Sequence, residues 1–194
     1  MVTPLLTTTG FSVIDAAGDL IYGTAADTAA RLAIGTALKT LRVNAGATAP
    51  EWTDAITLVA EQASTSGTSI DFTGIPAGVK RITVMFNGVS TSGTSPMLLQ
   101  IGDSGGVEVT VYASGAETGA LPAMYTTGFG LTASQVAAST YSGAVVLNLQ
   151  NAAAFTWTIS GNLVGVGIDT LSMCAGRKAL SAELDRVRIT TVGG

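Results

Sequence analysis

The sequence predicts a mainly β protein: an extended or short-helical N-terminal segment, residues 1–54, followed by an antiparallel β-sandwich of jelly-roll type, residues 55–194. From Ala55 onward, about ten short runs rich in Val, Ile, Thr and aromatics alternate with turn clusters of Gly, Pro, Ser and Asp. No helical period separates these runs, which argues against βαβ units and a parallel sheet. The first 54 residues are richer in Ala and Thr, and we expect a separate module there.

The N-terminal residues predict short extended pieces. Met1–Gly10 is expected to form an arm, because Pro4 interrupts regular structure and three successive threonines favour extended backbone. Such an arm either orders on a partner or frays, and the sequence leaves both open. Phe11–Tyr22 predicts two extended pieces around a turn at Ala17-Gly18-Asp19.

A short helix is predicted next. Asp27 is placed to cap a helix over Thr28–Ile34, which would stop at Gly35. Leu38–Val43 then predicts a short strand, and Asn44–Pro50 predicts a loop.

The apolar residues of Gly18–Trp52 are too sparse for a core of their own, yet too frequent for a solvated linker. Such a segment is stable when copies from neighbouring chains bury one another's side chains. We therefore expect an elongated oligomer, with an interface formed by Leu20, Ile21, Leu32, Ile34 and Leu41.

The β region carries the predicted strands. They are Ile56–Glu61, Ser69–Phe72, Val79–Phe86, Met97–Ile101, Val107–Tyr112, Met124–Phe129, Ala144–Leu149, Phe155–Leu163, Ile168–Met173 and Leu184–Val192. In the last of these, Val187 and Ile189 share one face while Arg186 and Arg188 point the other way.

Composition excludes several classes of protein. Hydrophobic residues make up 47% of the chain and charged residues 11%, but no run of about 18 apolar residues occurs, so membrane insertion is not expected. A net charge of −4 without a basic run argues against nucleic-acid binding. The N-terminus lacks a secretory signal pattern, so we expect synthesis and assembly in the cytoplasm.

No catalytic set is visible. The chain has no histidine, which removes the commonest general base and nitrogen metal ligand, and its single cysteine, Cys174, sits among apolar residues that predict burial. Asp103, Glu108 and Asp169 are the least implausible acids, but their settings predict a turn carboxylate and two polar strand positions. We expect a protein that is not an enzyme and needs neither metal nor cofactor.

Binding residues are easier to nominate than catalytic ones. Tyr112, Tyr125 and Tyr141 lie at predicted strand ends or in loops, where exposure is expected, and Arg177-Lys178 follows a glycine in a predicted loop. These five are the candidate contacts to a surface glycan. Trp157 shares its parity with Phe155 and Ile159, which favours a core position.

Two blocks of the chain resemble proteins of tailed bacteriophages. Residues 18–52 follow the pattern GDLxYGTxADTxxRLxIGTxxxxLxVNxGxTAPEW, which resembles a segment of phage fibre and minor structural proteins. Residues 68–90, with the later Gln100-Ile-Gly-Asp-Ser-Gly-Gly106, are similar to the C-terminal domains that often follow that segment.

The resemblance implies a trimeric, virion-attached fibre whose N-terminal part engages another virion protein and whose β-rich tip faces outward. Two functions then stay open. One is a short tail fibre that binds a bacterial surface glycan, and the other is a head fibre or capsid decoration protein with a structural role only. A capsule-degrading enzyme is disfavoured by the missing histidine and the short chain.

Overall fold

The computed structural model of the chain describes residues 14–137, 139–167 and 169–194. That part is all β, and every strand pair in it is antiparallel. The strands are β1 (Leu20–Ala25), β2 (Thr28–Leu32), β3 (Lys39–Val43), β4 (Pro50–Asp54), β5 (Ile70–Thr73), β6 (Arg81–Val89), β7 (Met97–Asp103), β8 (Gly106–Val107), β9 (Ala113–Thr118), β10 (Leu121–Tyr125), β11 (Phe129–Gly130), β12 (Thr140–Asn151), β13 (Thr156–Val166), β14 (Thr170–Ala179) and β15 (Arg186–Thr191).

The chain divides into two compact units, with the boundary between Glu61 and Gln62. The sequence places that boundary slightly earlier, between residues 54 and 55. The predicted arm, Met1–Gly10, lies outside the described residues, as does the start of the extended piece predicted from Phe11. Within the described residues, no helix is long and apolar enough to cross a membrane.

The first unit consists of two hairpins, β1–β2 and β3–β4. The helix predicted over Thr28–Ile34 is wrong, because residues 28–32 form β2 and pair with β1. Asp27 does not cap a helix but takes a positive φ of 57° in the tight turn between the two strands, a conformation that Asp tolerates better than most residues. The turn predicted at Ala17-Gly18-Asp19 is confirmed, and the strand predicted over Leu38–Val43 forms from Lys39. The loop predicted over Asn44–Pro50 ends one residue earlier, because Pro50 begins β4.

Few side chains of the first unit pack closely. Trp52 of β4 donates its indole N–H to the carbonyl of Ala33 at 2.8 Å, and its ring lies against Gly35. A Cβ at Gly35 would come within 2.6 Å of the ring, so this approach requires glycine. The Asn44 side chain closes the second turn by accepting the N–H of Thr48 at 2.9 Å. None of the described residues 14–61 is buried.

The second unit contains two larger sheets. A six-stranded sheet has the order β10-β9-β14-β13-β12-β6, and a five-stranded sheet has the order β11-β7-β15-β5, with β8 paired to β7. Side chains from both sheets form one hydrophobic cluster, to which β12 and β13 contribute Val145, Leu147, Trp157 and Leu163, and β7 and β15 contribute Leu99, Ile101 and Val187. This shared core is the main source of stabilisation in the unit.

The strand predictions for the β region differ from the structure in four places. The strand predicted over Met124–Phe129 is interrupted, because residues 126–128 form a bend between β10 and β11. Residues 56–61 form no strand, and Ile56, Leu58 and Val59 are exposed there. Val107–Tyr112 contributes only the short β8 before the chain turns back with Val111 at a φ of 60°. β9 was not predicted, since its sequence, ASGAET, lacks the β-branched and aromatic residues that mark a strand.

Candidate binding surfaces

Tyr112 is buried, so the prediction that it is exposed is wrong. Only 3% of the residue is accessible, and its ring lies edge-on to Phe129 with the ring centroids 4.9 Å apart. Its hydroxyl accepts the N–H of Ile101 at 2.9 Å and donates to the carbonyl of Glu108 at 2.8 Å. Burial raises the pKa of Tyr112 well above its usual value. The buried side chain of Tyr112 therefore fixes its loop against the core.

Lys178 and Arg177 do not form an exposed pair. Both lie in β14 rather than in a loop, and strand alternation sends their side chains to opposite faces. Arg177 is exposed, whereas Lys178 is buried and pairs with Glu108 at 2.5 Å between Nζ and Oε2. The Lys178 ammonium also lies 5.3 Å from the centroid of the Tyr112 ring. Lys178 is thus part of a buried cluster and is not free to contact a glycan.

Tyr141 and Tyr125 differ from each other in accessibility. Tyr141 is completely buried in β12, and its hydroxyl donates to the carbonyl of Ser134 at 3.4 Å. Tyr125 is half-buried at the end of β10 and donates to the carbonyl of Thr132 at 2.7 Å. Burial raises the pKa of both tyrosines. Among the five predicted contacts, only Arg177 is exposed and only Tyr125 is partly accessible.

Two of the three nominated carboxylates, Asp103 and Glu108, accept hydrogen bonds from the same residue, Ser181. Asp103 accepts the N–H of Gly105 at 2.8 Å and the hydroxyl of Ser181 at 2.6 Å, which confirms its role in a turn. The Ser181 hydroxyl, followed by the Gly105 amide, holds the pKa of Asp103 below its usual value. Asp169 is exposed, while its predicted strand neighbour Ile168 lies outside the described residues.

The Glu108 carboxylate is bound by Lys178 and by Ser181. Burial opposes its ionisation, but the ammonium of Lys178 and the N–H of Ser181, at 2.8 Å, outweigh burial and keep the pKa of Glu108 below its usual value. The described residues contain no group of three His, Cys, Asp or Glu side chains able to hold a metal ion.

The core predictions for Cys174 and Trp157 are confirmed. Cys174 is buried, and burial raises the pKa of its thiol to about 11, so it is a poor nucleophile at neutral pH. Trp157 is 2% exposed, and its indole N–H has no hydrogen-bond partner among the described residues.

A cleft of about 760 Å³ opens in the second unit, close to the end of β15. Two loops with the same sequence, Ser-Thr-Ser-Gly-Thr-Ser, occur at residues 64–69 and 90–95, and both contribute to its walls. Eleven of its nineteen lining residues are serines or threonines, and no charged side chain is among the described residues that line it. The arrangement offers neutral hydroxyl donors and acceptors to a neutral polar ligand.

The sequence contains an indication of this cleft, a repeated hexapeptide, which an analysis of strand periodicity does not detect. The hexapeptide at 64–69 recurs without change at 90–95, and both copies look like ordinary turns when taken singly. Only the tertiary structure brings them to one place. Thr190 of β15 fixes the first copy by donating its hydroxyl to the carbonyl of Thr68 at 2.9 Å.

The residues expected to form an interface in the first unit are accessible in the single chain. Leu20, Ile21, Ile34 and Leu41 are exposed, and Leu32 is half-buried. Leu38 is 96% exposed and Val43 64%. Their burial by other copies stays a prediction.

A comparison of the chain with protein-family models, with curated proteins and with solved structures found no match.

Proposed function

We propose that this protein is a bacteriophage virion fibre, a homotrimer whose first unit attaches and associates and whose second unit forms the tip. The observation that carries this proposal is the first unit itself. None of its described residues is buried, yet its apolar side chains lie in the segment that resembles phage fibre proteins. Contact with neighbouring copies is the simplest way to remove this surface from water.

The second unit suits the role of a rigid tip. We interpret its two larger sheets, which share one core, as a β-sandwich. The jelly-roll type expected from the sequence remains part of this proposal. Such a unit holds loops in fixed positions, and binding residues on many proteins lie on loops of this kind.

The surface for a host glycan is then the hydroxyl-lined cleft rather than the predicted tyrosines. Tyr112, Tyr141 and Lys178 are buried, whereas the two Ser-Thr-Ser-Gly-Thr-Ser loops line an open cleft. Sugars present hydroxyl groups that pair with hydroxyl donors and acceptors, and an uncharged lining favours a neutral saccharide.

Adsorption of the labelled full chain to bacterial cells tests this function. We expect specific adsorption that free host surface glycan blocks. Ser92→Trp, which fills the cleft, is expected to abolish adsorption, whereas Ser104→Trp, on an exposed turn away from the lining residues, is expected to preserve it. Equal adsorption by both variants would contradict the cleft as the glycan site.

A head fibre or capsid decoration protein is the second candidate. The scarcity of accessible aromatic side chains in the second unit favours it, since Phe86, Tyr112, Phe129, Tyr141 and Trp157 are all buried and sugar sites usually present an aromatic face. No adsorption to any host cell, together with stable incorporation into particles, would favour this structural role.

A further inference from the structure

The outer face of the six-stranded sheet carries several exposed apolar side chains among its polar ones. Antiparallel sheets commonly bury one face and expose a polar one. Here the side chains opposite the core include six exposed apolar residues: Met85, Met124, Val164, Val166, Leu171 and Met173. We call this surface the outer sheet face.

The strand register makes these side chains neighbours. Met85 of β6 is paired with Ala144 of β12, which is paired with Asn162 of β13, and Asn162 is paired with Met173 of β14. A single row of outward side chains therefore crosses the sheet from one methionine to the other. In the adjoining row, Met124 of β10 lies over Gly115, where a Cβ would come within 3.2 Å of its sulfur atom. A shallow groove of about 290 Å³ lies between Met124 and Met173.

On the described strands of the sheet, charged side chains occupy three positions of the outer sheet face. Arg81 and Arg177 belong to one terminal row, which runs through Asn148 and Thr158, and Glu117 lies near the β10 edge. The remaining outward positions on the described strands are uncharged: they are apolar, small, hydroxylated or amides, such as Ala144, Ser160 and Asn162. A second copy of the same face therefore meets little like-charge repulsion.

The size of the face matches a protein–protein interface. The sheet has six strands, which at a spacing of about 4.8 Å gives a width of about 29 Å. Five outward rows on β12 and β13, separated by four intervals of about 6.8 Å, give a length of about 27 Å. The resulting area of about 800 Å² is what one partner contributes to a specific interface of standard size.

We propose that the outer sheet face packs against other copies of this chain. The proposal rests on the proposed function only in expecting a permanent oligomer. It adds a second association surface, formed by the tip rather than by the first unit. Methionine suits such a surface, because its flexible, polarisable side chain adapts to an irregular partner.

Methionine oxidation tests this proposal on the full chain. The native protein at micromolar concentration is treated with hydrogen peroxide, and oxidation at each methionine is followed by peptide mass spectrometry. Met85, Met124 and Met173 are 70%, 80% and 49% exposed in the single chain, whereas Met97 is 1% exposed and serves as the buried reference. The oligomer's mass is measured in parallel by light scattering.

We expect an oligomer in which the three outer methionines oxidise as slowly as Met97 and far more slowly than in urea-unfolded protein. Ala175→Arg, in the middle of the face, is expected to remove the protection at Met124 and Met173 while Met97 stays protected, which shows that the variant folds. Ser104→Arg, on an exposed turn, is the matched control and is expected to keep all protection.

An oligomer whose outer methionines oxidise at the unfolded rate would overturn this inference and leave association through the first unit intact. A monomer would overturn both the inference and the trimeric part of the proposed function. Loss of protection in Ser104→Arg as well as in Ala175→Arg would also contradict a specific role for the face.

Discussion

The two units of this protein hold their structure by different means. The second unit buries aliphatic and aromatic side chains from two sheets in one cluster. The first unit buries none of its described residues and relies on hairpin pairing, a turn closed by Asn44 and cross-strand ion pairs such as Lys39–Asp54 and Arg42–Glu51. The second unit therefore has a core of its own, whereas the described part of the first unit has none.

This difference matters because the interactions differ in strength. A fully buried Leu or Phe contributes about 1.5–3 kcal/mol, whereas an exposed ion pair contributes about 0–1 kcal/mol. Isolated two-stranded hairpins are marginally stable at best in water. We infer that the second unit is stable alone and that the first unit requires contacts from outside itself.

The largest expected effect is on the core of the second unit. Trp157→Ala replaces a residue that is 2% exposed, and we expect a loss of about 3–5 kcal/mol in the free energy of unfolding. The reason is that the variant loses buried apolar area and leaves a cavity into which the neighbouring side chains relax only partially. Urea unfolding followed by far-ultraviolet circular dichroism measures the loss.

Phenylalanine variants of Trp157 and Trp52 separate the contribution of ring packing from that of the indole hydrogen bond. Trp157→Phe keeps most of the ring and loses no hydrogen bond that the structure gives to its N–H, so we expect a much smaller loss than with alanine. Trp52→Phe loses the bond to Ala33, and we expect a cost of about 0.5–1.5 kcal/mol. Equal losses for Trp157→Phe and Trp157→Ala would contradict a packing role for the ring.

The next effect concerns ion pairs in the two units. Glu108→Gln leaves the buried Lys178 ammonium without its anion, and we expect a loss of about 3 kcal/mol in unfolding free energy. Glu51→Gln breaks the exposed pair with Arg42 and is the matched control, with an expected change within about 1 kcal/mol. Chemical denaturation at neutral pH compares the two variants.

A double variant separates the charge from the packing. Glu108→Gln combined with Lys178→Met removes the stranded ammonium, so stability is expected to recover in part relative to Glu108→Gln alone. A double variant less stable than Glu108→Gln would show that the aliphatic packing of Lys178, and not its ion pair, dominates.

The last prediction concerns the pH dependence of stability above neutrality. Burial raises the pKa of the Cys174 thiol from 9.0 to about 11, so the unfolded chain releases this proton at lower pH than the folded protein does. The stability from the protonated buried thiol is fully present below pH 9 and is lost as the pH rises toward 11. It amounts to at most about 3 kcal/mol, at 1.36 kcal/mol for each pKa unit.

Unfolding free energies measured between pH 8 and 11 test this with Cys174→Ala as the control, the pH range following from the two pKa values. The wild-type protein is expected to lose more stability over that range than the variant. Parallel pH profiles would contradict a contribution from Cys174. The buried tyrosines lower the stability of both proteins at high pH and so cancel in the comparison.

Much of the fold is predictable from the sequence, because alternation and turn chemistry are local. Strands such as β7, β12, β13 and β15 follow from runs of Val, Ile, Leu and Thr between turn residues. β9 does not, since its Ala, Ser and Gly residues become a strand only by pairing with β10 and β14. The sequence predicts a helix at β2, because an Ala-rich segment after Asp27 fits either structure and only its pairing with β1 makes it a strand.

The candidate site is less predictable than the fold. The position of Tyr112 at a strand end indicates exposure, but the fold turns that loop inward and buries the side chain against Phe129. The burial of Lys178 is equally hard to predict. Its position in β14 points the side chain to the buried face, whereas the sequence predicts a loop there. The repeated Ser-Thr-Ser-Gly-Thr-Ser loops are visible in the sequence, whereas their meeting in one cleft is a tertiary property.

The central claim is that copies of this chain complete the first unit. Native mass spectrometry of the full chain at micromolar concentration tests this most directly, with a variant carrying Ile21→Ser, Ile34→Ser and Leu41→Ser beside the wild type. We predict a trimer for the wild-type protein and a weakened trimer for the variant, which dissociates at a higher protein concentration because only the outer sheet face still drives association. A stable wild-type monomer at that concentration would contradict the account.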